Sequence, residues 1–520
     1  MSSRGTRTVA AVDLGAESGR VTAVSFDGDR LTMKIANRFA NTPRVQGGAL
    51  RWNVEDLWAR IVEGLGILAV GPEPVASVGV DTWGVDYGLL DAVGQLLDAP
   101  ISYRDNRNAA SFAQALQRVG AQKLYAATGV QVLAINTVFG LMADVRDDPT
   151  RLSRAKTLLM MPDLFHHKLS GATTAEYTGV STTGAYDMAG HRWASELLDE
   201  LGIPTHMLPD VVPPGTDVGP LLPGLAVGAL HDARVIVPPG HDTASAVVGV
   251  PLADPGGLYI SSGTWSLVGV ETPTPVVTPE SQRSNLTNEG GYAGTIRLLR
   301  NVMGLWILQE CRRQWQREGT DISYPDLAEM AAQVPGLVSI INPDDPGFLP
   351  PGDMPARVRQ YCADHGSAVP QTIPEVVRCV VDSLALSYRA VVDYLVDATG
   401  ERPPSINIVG GGADNVLLSQ LTADATGLPV SCGPTEGTAL GNGAVQLATL
   451  GEFDGLAQIR QAIAASTAIR HYDPRPGGGW EEAQSTFRRL VAVDQQRAVD
   501  QHGAVDQHGA VDQHGADAQQ

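Results

Sequence analysis

An apolar run, Val9-Ala10-Ala11-Val12, ends in Asp13. The chain then turns through Gly15-Ala16-Glu17, continues as Ser18-Gly19-Arg20 and enters a second apolar run from Val21. This strand-turn-strand suits a phosphate chain. Glycines let backbone N–H groups close on anionic oxygens. The Ser18 hydroxyl and Arg20 can donate to phosphate, and Asp13 can hold the magnesium that accompanies it. By itself the segment reads equally as an ordinary hairpin with a polar turn. A second hairpin of the same character lies downstream, where Ser261-Ser262-Gly263-Thr264 joins two apolar strands between Gly257 and Val270. The spacing predicts a duplicated architecture in which each half offers one phosphate loop to a shared cleft.

Four further segments carry candidate chemistry. Gly79-Val80-Asp81-Thr82-Trp83-Gly84-Val85-Asp86-Tyr87 places an indole between carboxylates. That pairing suits a polyol, whose C–H faces lie on the ring while its hydroxyls donate to the acids. Pro238-Pro239-Gly240-His241-Asp242-Thr243 reads as a loop feeding a helix N-terminus. Asp242 or Thr243 is then either an N-cap or a functional group. In the functional reading Asp242 accepts a hydroxyl proton, held ionised by the helix dipole and needing no raised pKa. His241 there donates to a sugar oxygen. Asn301 to Gln309 is read as helical, with both amides on one side. Gly410-Gly411-Gly412 follows a strand and precedes a helix, where a flat ring or its ribose can lie against the backbone. Its spacing is not that of a Rossmann fingerprint, and no Walker-type loop occurs in the chain.

The elements that must position these groups alternate between strand-like and helix-like patterns, the mark of α/β layers. Val75 to Val80 reads as a buried strand ending at Asp81, and Ile406 to Val409 as another. Trp52–Leu68, Leu298–Trp315, Ile373–Leu395 and Asn415–Thr426 read as helices. Proline- and glycine-rich stretches at 209–223 and 343–355 read as loops. The 520 residues predict two or more domains. A net charge of -20 argues against a nucleic-acid partner. No run is apolar enough to predict a membrane partner. Four cysteines without paired spacing read as reduced thiols in a cytoplasmic protein. From Ala498 the unit Ala-Val-Asp-Gln-His-Gly repeats three times, too polar to offset its ordering entropy, which predicts disorder. His502, His508 and His514 lack the spacing and companions of a metal site.

Taken together, Asp13-Leu14-Gly15, the Asp81-to-Asp86 element, Gly240-His241-Asp242-Thr243, Ser261 to Ser266 and the glycine triplet resemble the FGGY carbohydrate kinases. The Asp-Thr-Trp-Gly-Val-Asp element, Tyr103-Arg104-Asp105, Met160-Met161-Pro162-Asp163, Thr287 to Gly291 and Asn301 to Gln309 resemble the members that act on L-rhamnulose. The likeness runs from about Val9 to Pro474. It implies an α/β fold of two ribonuclease-H-like (actin-like ATPase) domains flanking a central cleft. It implies residues 1–249 as the N-terminal domain, 250–489 as the C-terminal nucleotide-binding domain and 490–520 as a disordered tail. It implies ATP and Mg2+ as cofactors, a small ketose as substrate, and transfer of the γ-phosphoryl group to O1 of L-rhamnulose by a monomer or weak dimer.

The resemblance makes Asp242 the catalytic base. Ala16, Glu17, Ser18, Gly19, Arg20, Thr264, Gln309 and Gly411 are its ATP contacts. Gly84, His241, Asp242, Thr243 and Asn301 are its sugar contacts, and Asp13 is the magnesium partner. Trp83 and Asp86 are expected to orient the ketose. Two departures stand out: Glu17 puts an acid inside the phosphate loop, and Thr422-Ala423-Asp424-Ala425-Thr426 replaces a cysteine pair found in some relatives. Competing readings are a kinase for L-fuculose or xylulose, a chaperone or filament on the same fold, and a sugar sensor without turnover.

Overall fold

The first strand is buried on both faces, and the molecule is organised around that fact. The computed structural model describes residues 5–252 and 256–513, with side chains through 497. The strands of its two main sheets are β1 (Arg7–Leu14), β2 (Ser18–Phe26), β3 (Leu31–Ala40), β4 (Val75–Thr82), β5 (Thr216–Pro220), β6 (Arg234–Val237), β7 (Leu258–Ser262), β8 (Trp265–Thr272), β9 (Thr287–Gly290), β10 (Ile296–Met303), β11 (Ile406–Val409), β12 (Val430–Cys432) and β13 (Arg470–Tyr472). Val9 to Val12 have no accessible surface, as a central strand covered on both sides requires.

The first sheet runs β5-β6-β4-β1-β2-β3 and the second β9-β10-β8-β7-β11-β12-β13. In each, a hairpin leads and its first strand has a parallel partner on the other side: β1 pairs antiparallel with β2 and parallel with β4, while β7 pairs antiparallel with β8 and parallel with β11. The duplication expected from the two hairpins is therefore present as topology. Residues 87–211 form helices and short strands with their own core around Phe139, Leu158 and Met188.

The helices that matter for the cleft are α1 (Val54–Ala69), α2 (Asp242–Val248), α3 (Trp306–Arg317), α4 (Met354–Asp364), α5 (Ile373–Thr399), α6 (Val416–Thr426), α7 (Gly437–Thr449), α8 (Leu456–Ser466) and α9 (Trp480–Gln513). Asn53 caps α1 by accepting from the Asp56 N–H, and Leu57, Ile61 and Leu65 form its buried stripe. Thr372 and Glu375 make a capping box at the start of α5, which Gly400 ends at φ 76°.

Sequence and space part company at α7. It lies late in the chain, within the segment expected to belong to the second domain, yet it packs on the first sheet. Ala439, Leu440, Ala444 and Val445 share a core with Val9, Ala11 and Val24, and α8 adds Ile459 and Ile463. Two buried amides tie it down. Gln446 Nε2 donates to Ala10 O at 3.1 Å, and Asn442 Nδ2 to Asp81 Oδ2 at 2.6 Å.

Other expectations are corrected. Residues 298–303 belong to strand β10, paired with β8 along its whole length; the helix begins only at Trp306. The stretch 209–223 holds edge strand β5. The region from 490, expected to be disordered, begins as a continuation of α9. Trp480, Phe487 and Leu490 bury one face of that helix, and Asp494 accepts from Tyr361 Oη at 2.7 Å and Asn342 Nδ2 at 2.9 Å. Once a helix is anchored, extending it by a residue costs little. The side chains of 498–513, including His502 and His508, and all of 514–520, including His514, lie outside the described residues. Cys362 on α4 and Cys379 on α5 meet as hydrogen-bonded free thiols, a pairing that their separation in sequence conceals.

Candidate active site

The turn after β1 is closed by its own backbone. Gly15 N–H donates to Ser18 O at 2.8 Å, and Asn41 fixes the outer side by donating from Nδ2 to Gly15 O and from N–H to Glu17 O, both at 2.9 Å. Asp13, Ala16, Glu17, Ser18 and Arg20 line the cleft that opens here, which encloses about 460 Å³. Gly19 does not line it. A Cβ there would stand 2.7 Å from Phe39 Cζ and 2.8 Å from Leu14 Cδ2, so this glycine serves the packing of β2 against β3.

Charge in this loop is already paired. Arg20 Nε sits 3.3 Å from Asp13 Oδ2, and its Nη1 meets Glu436 Oε2 at the foot of α7, where Arg38 also donates to Glu436 at 2.9 Å. Glu17 has Arg313 of α3 beside it, 3.6 Å away, so the acid in this turn also faces a cation. Behind Asp13, its cross-strand neighbour Asp81 is fully buried. Burial and the Asp13 charge push the Asp81 carboxyl well above its ordinary range. Burial also raises Asp13, opposed by Arg20. Both carboxyls are raised; the Asp13 charge adds to burial at Asp81, whereas Arg20 opposes burial at Asp13, which lines the cleft.

The second hairpin forms the opposite wall. Gly263 N–H donates to Trp265 O at 2.8 Å, and Leu305 N–H at the entry to α3 donates to Gly263 O at 3.0 Å. Thr264 Oγ1 donates to Gln309 Oε1 at 3.4 Å, and both line the cleft. Asn301 reaches it from β10, donating to Gln131 Oε1 at 3.4 Å. In the glycine triplet, Gly410 and Gly412 are there for packing. A Cβ on Gly410 would meet Ser262 O at 2.7 Å, and one on Gly412 would overlap the Ser262 hydroxyl. Gly411 has nothing within 4 Å of its Cβ direction and forms an open floor at the cleft wall.

Gly84, Val85, His241, Asp242 and Thr243 line the same cleft. Val85 sits at φ 66°, a costly conformation for a β-branched residue. It is held by donation from its N–H to Thr182 Oγ1 at 3.1 Å and from Thr137 Oγ1 to its carbonyl at 2.5 Å. Gly84 leaves room above the imidazole: a Cβ there would lie 3.2 Å from His241 Nε2. Buried Glu176 grips the 240-loop by accepting from Gly240 N–H at 2.8 Å, and His241 N–H donates to Thr178 Oγ1 at 3.0 Å. His241 occupies the N-cap position of α2 without a side-chain cap bond, and Asp242 is the first helical residue. Burial, with Asp13 adding to it and His241 opposing, raises the Asp242 carboxyl to about 6. The sequence reading required no raised pKa at this carboxyl; its burial supplies one.

Asp86 does not reach the cleft. Its Oδ2 accepts from the indole N–H of Trp52 at 2.5 Å and of Trp83 at 2.9 Å, with the two rings 4.2 Å apart. Asp86 therefore fixes the Trp83 ring, which does line the cleft, and cannot itself address a sugar. Sequence reasoning gave no role to Glu289, Gln131, Arg104 or Glu436, which the fold brings to the same walls. Among the described residues no group of three or more His, Cys, Asp or Glu side chains is arranged to hold a metal by itself. Asp13 fits the other way of binding magnesium, in which one carboxylate, water and the phosphates of a nucleotide share the ion.

Residues 8–249 match the model of the N-terminal domain of the FGGY family of carbohydrate kinases, and residues 258–450 match that of its C-terminal domain. The chain is 40% identical to a rhamnulokinase of Bacteroides thetaiotaomicron over 483 residues, 92% of this chain and 99% of that one. It is 41% identical to a rhamnulokinase of Pectobacterium atrosepticum over 486 residues, 92% and 96% of the two chains. Among solved structures, the fold is similar to gluconate kinase from Lactobacillus acidophilus (TM-score 0.78, 18% identity, 95% of this chain and 98% of that one). It is similar also to Plasmodium falciparum glycerol kinase with ADP (TM-score 0.77, 14% identity, 94% and 98%).

Proposed function

The chain belongs to the FGGY family of carbohydrate kinases, and from that membership we propose that it transfers the γ-phosphoryl group of ATP to O1 of L-rhamnulose, with Mg2+ as the accompanying ion. The observation that carries the reading is the convergence of Asp242, His241 and Gly84 in a cleft whose other walls are the two hydroxyl-rich hairpins and the open floor at Gly411. Phosphoryl transfer asks for alignment and charge neutralisation more than for covalent chemistry, and this division of labour supports it. Ser18, Arg20 and Thr264 hold the phosphates, with Arg20 exchanging Glu436 for phosphate oxygens. Gly411 and Gln309 border the base and ribose. Asp13 holds the ion, whose contribution is to neutralise phosphate charge. Trp83, Gly84, Thr243 and Asn301 shape the sugar end.

Asp242 accepts the O1 proton as the new P–O bond forms, which requires the ionised carboxylate. Seating both substrates between walls drawn from both sheets excludes water and limits loss of ATP to hydrolysis. A monomer suffices, because one chain supplies every wall, and a weak dimer is compatible with it. Four free thiols support a cytoplasmic setting. Among the described residues no helix is long and apolar enough to cross a membrane. The choice of ketose is tested by kcat/KM from ADP release with L-rhamnulose, L-fuculose and D-xylulose. The reading expects L-rhamnulose to lead by at least about tenfold, the worth of one well-placed sugar hydrogen bond. Preference for either competitor would reassign the substrate.

A further inference from the structure

One full cation is buried with no accessible side-chain surface, and it sits beside the sugar end of the cleft. Arg297 of β10 donates from Nε to Gly290 O at 2.8 Å, from Nη1 to Thr243 Oγ1 at 2.9 Å and from Nη2 to Glu289 Oε2 at 2.9 Å. The same Glu289 oxygen lies 3.1 Å from His241 Nδ1. Burial alone would raise the Glu289 carboxyl, but Arg297 and His241 outweigh it and hold it below its ordinary range. Oε2 therefore carries negative charge between two nitrogens. An imidazole lone pair at Nδ1 would set two acceptors face to face at 3.1 Å, whereas a proton there makes a charge-assisted bond. Arg297 Nη2, 3.2 Å from Nδ1, already has Glu289 as the closer acceptor. In the neutral ring the bare nitrogen is then Nε2, which lies 3.2 Å from Thr243 Oγ1, a hydroxyl that accepts from Arg297 and has its own hydrogen to give, and 3.5 Å from Asp242 Oδ1, and which faces the space left by Gly84.

We propose that Glu289, anchored by Arg297, is a positioning residue that fixes His241 as the Nδ1–H tautomer, so that Nε2 accepts a hydrogen bond from a hydroxyl of the bound sugar next to the oxygen served by Asp242. This rests on the reading of that end of the cleft as the sugar site, and it reverses the sequence-based expectation that His241 donates. It also gives the second sheet a hand in the first half's sugar pocket, since β9 and β10 carry both anchoring residues.

The tautomer is read directly on the full-length protein labelled with 15N-histidine, the His241 signals being those lost in His241→Asn. The expected pattern is a protonated Nδ1 and a bare Nε2 in the unliganded wild type, with Nε2 shifting further when L-rhamnulose is added. A protonated Nε2 with a bare Nδ1 would overturn the proposal. Kinetics give a second reading. Glu289→Gln should raise the KM for the sugar about 10- to 100-fold, the usual worth of a charged hydrogen bond, with the KM for ATP within about twofold. Arg297→Lys, which keeps the charge but loses the fork, should fall between the two. An unchanged sugar KM in folded Glu289→Gln would also refute it. If instead the wild type turned over no ketose at all while His241 showed the expected tautomer, the kinase reading would fail and the positioning geometry would stand.

Discussion

Gly441→Ala is the most searching single substitution, because it perturbs the proposed base Asp242 from a position on α7 that does not itself line the cleft. Gly441 lies on α7 where it crosses α2. A Cβ at this position would overlap Ser245 O outright and would stand 2.8 Å from the Ser245 carbonyl carbon and 3.0 Å from Gly249 N. Relieving the overlap with the Ser245 carbonyl oxygen moves one helix against the other by roughly 1 Å or more. Helix propensity favours alanine here by about 1 kcal/mol. Backbone overpacking costs about 1–3 kcal/mol, so the net sign is destabilising. The functional effect is the larger one. Asp242 opens the helix that Ser245 belongs to, and a displacement near 1 Å costs on the order of 10²-fold in rate. We expect kcat to fall roughly 10- to 100-fold while the protein stays folded. Gly437→Ala, on the same helix, is the control, since its Cβ would meet Val409 Cβ at 3.5 Å, Ala246 O at 3.7 Å and Pro434 Cγ at 3.9 Å, all ordinary contacts. The assay is ADP release at saturating ATP and sugar, with thermal unfolding in parallel. Wild-type kcat and unfolding temperature in Gly441→Ala would refute the reasoning.

Further predictions follow from the same geometry. Asp242→Asn should keep sugar binding, measured by calorimetry, and lose about 10²–10⁴ in kcat. Because Asp242 is raised to about 6 and must be ionised to act, kcat/KM should rise with pH through about 6 and level off above; a flat profile from pH 5 to 7 would remove it as the titrating base. Asp86→Ala should leave two buried indole N–H groups without an acceptor and cost about 2 kcal/mol or more in denaturant unfolding, a loss read as stability before activity. Gly411→Ala should be tolerated in folding but raise the KM for ATP several-fold, whereas Gly412→Ala should destabilise, since its Cβ would collide with Ser262.

Local signals made much of this legible in advance. The two hairpins could be read because an apolar run, a small-residue turn and a second run lie contiguously, and the helix at Asn415–Thr426 because its cap is adjacent to its periodicity. Two kinds of feature were hidden. Long-range partners were one: nothing near α7 in sequence says that Asn442 and Gln446 belong under Asp81 and Ala10, or that Glu289 and Arg297 reach His241. Competition between periodicities was the other. Residues 298–303 mix leucine, valine and methionine in a pattern that suits a helix face or a buried strand, and pairing with β8 decides for the strand. Asp86 shows the limit of residue-type reasoning. A carboxylate beside an indole suits a polyol, yet here the indole N–H groups of Trp52 and Trp83 occupy it, and Trp52 lies 34 positions away. Gly19 shows the same for glycine, since the close approach of Phe39 and Leu14 alone demands a residue without a side chain in that position.

The position of the transferred phosphate decides the central claim. The enzyme is incubated with ATP, magnesium and L-rhamnulose, and the product is examined by phosphorus–proton coupling in NMR. The account predicts one sugar phosphate per ADP released, its phosphorus coupled to the C1 protons, and no such signal from Asp242→Asn on the same timescale. Phosphate on another carbon, or ADP release that does not depend on the sugar, would contradict it.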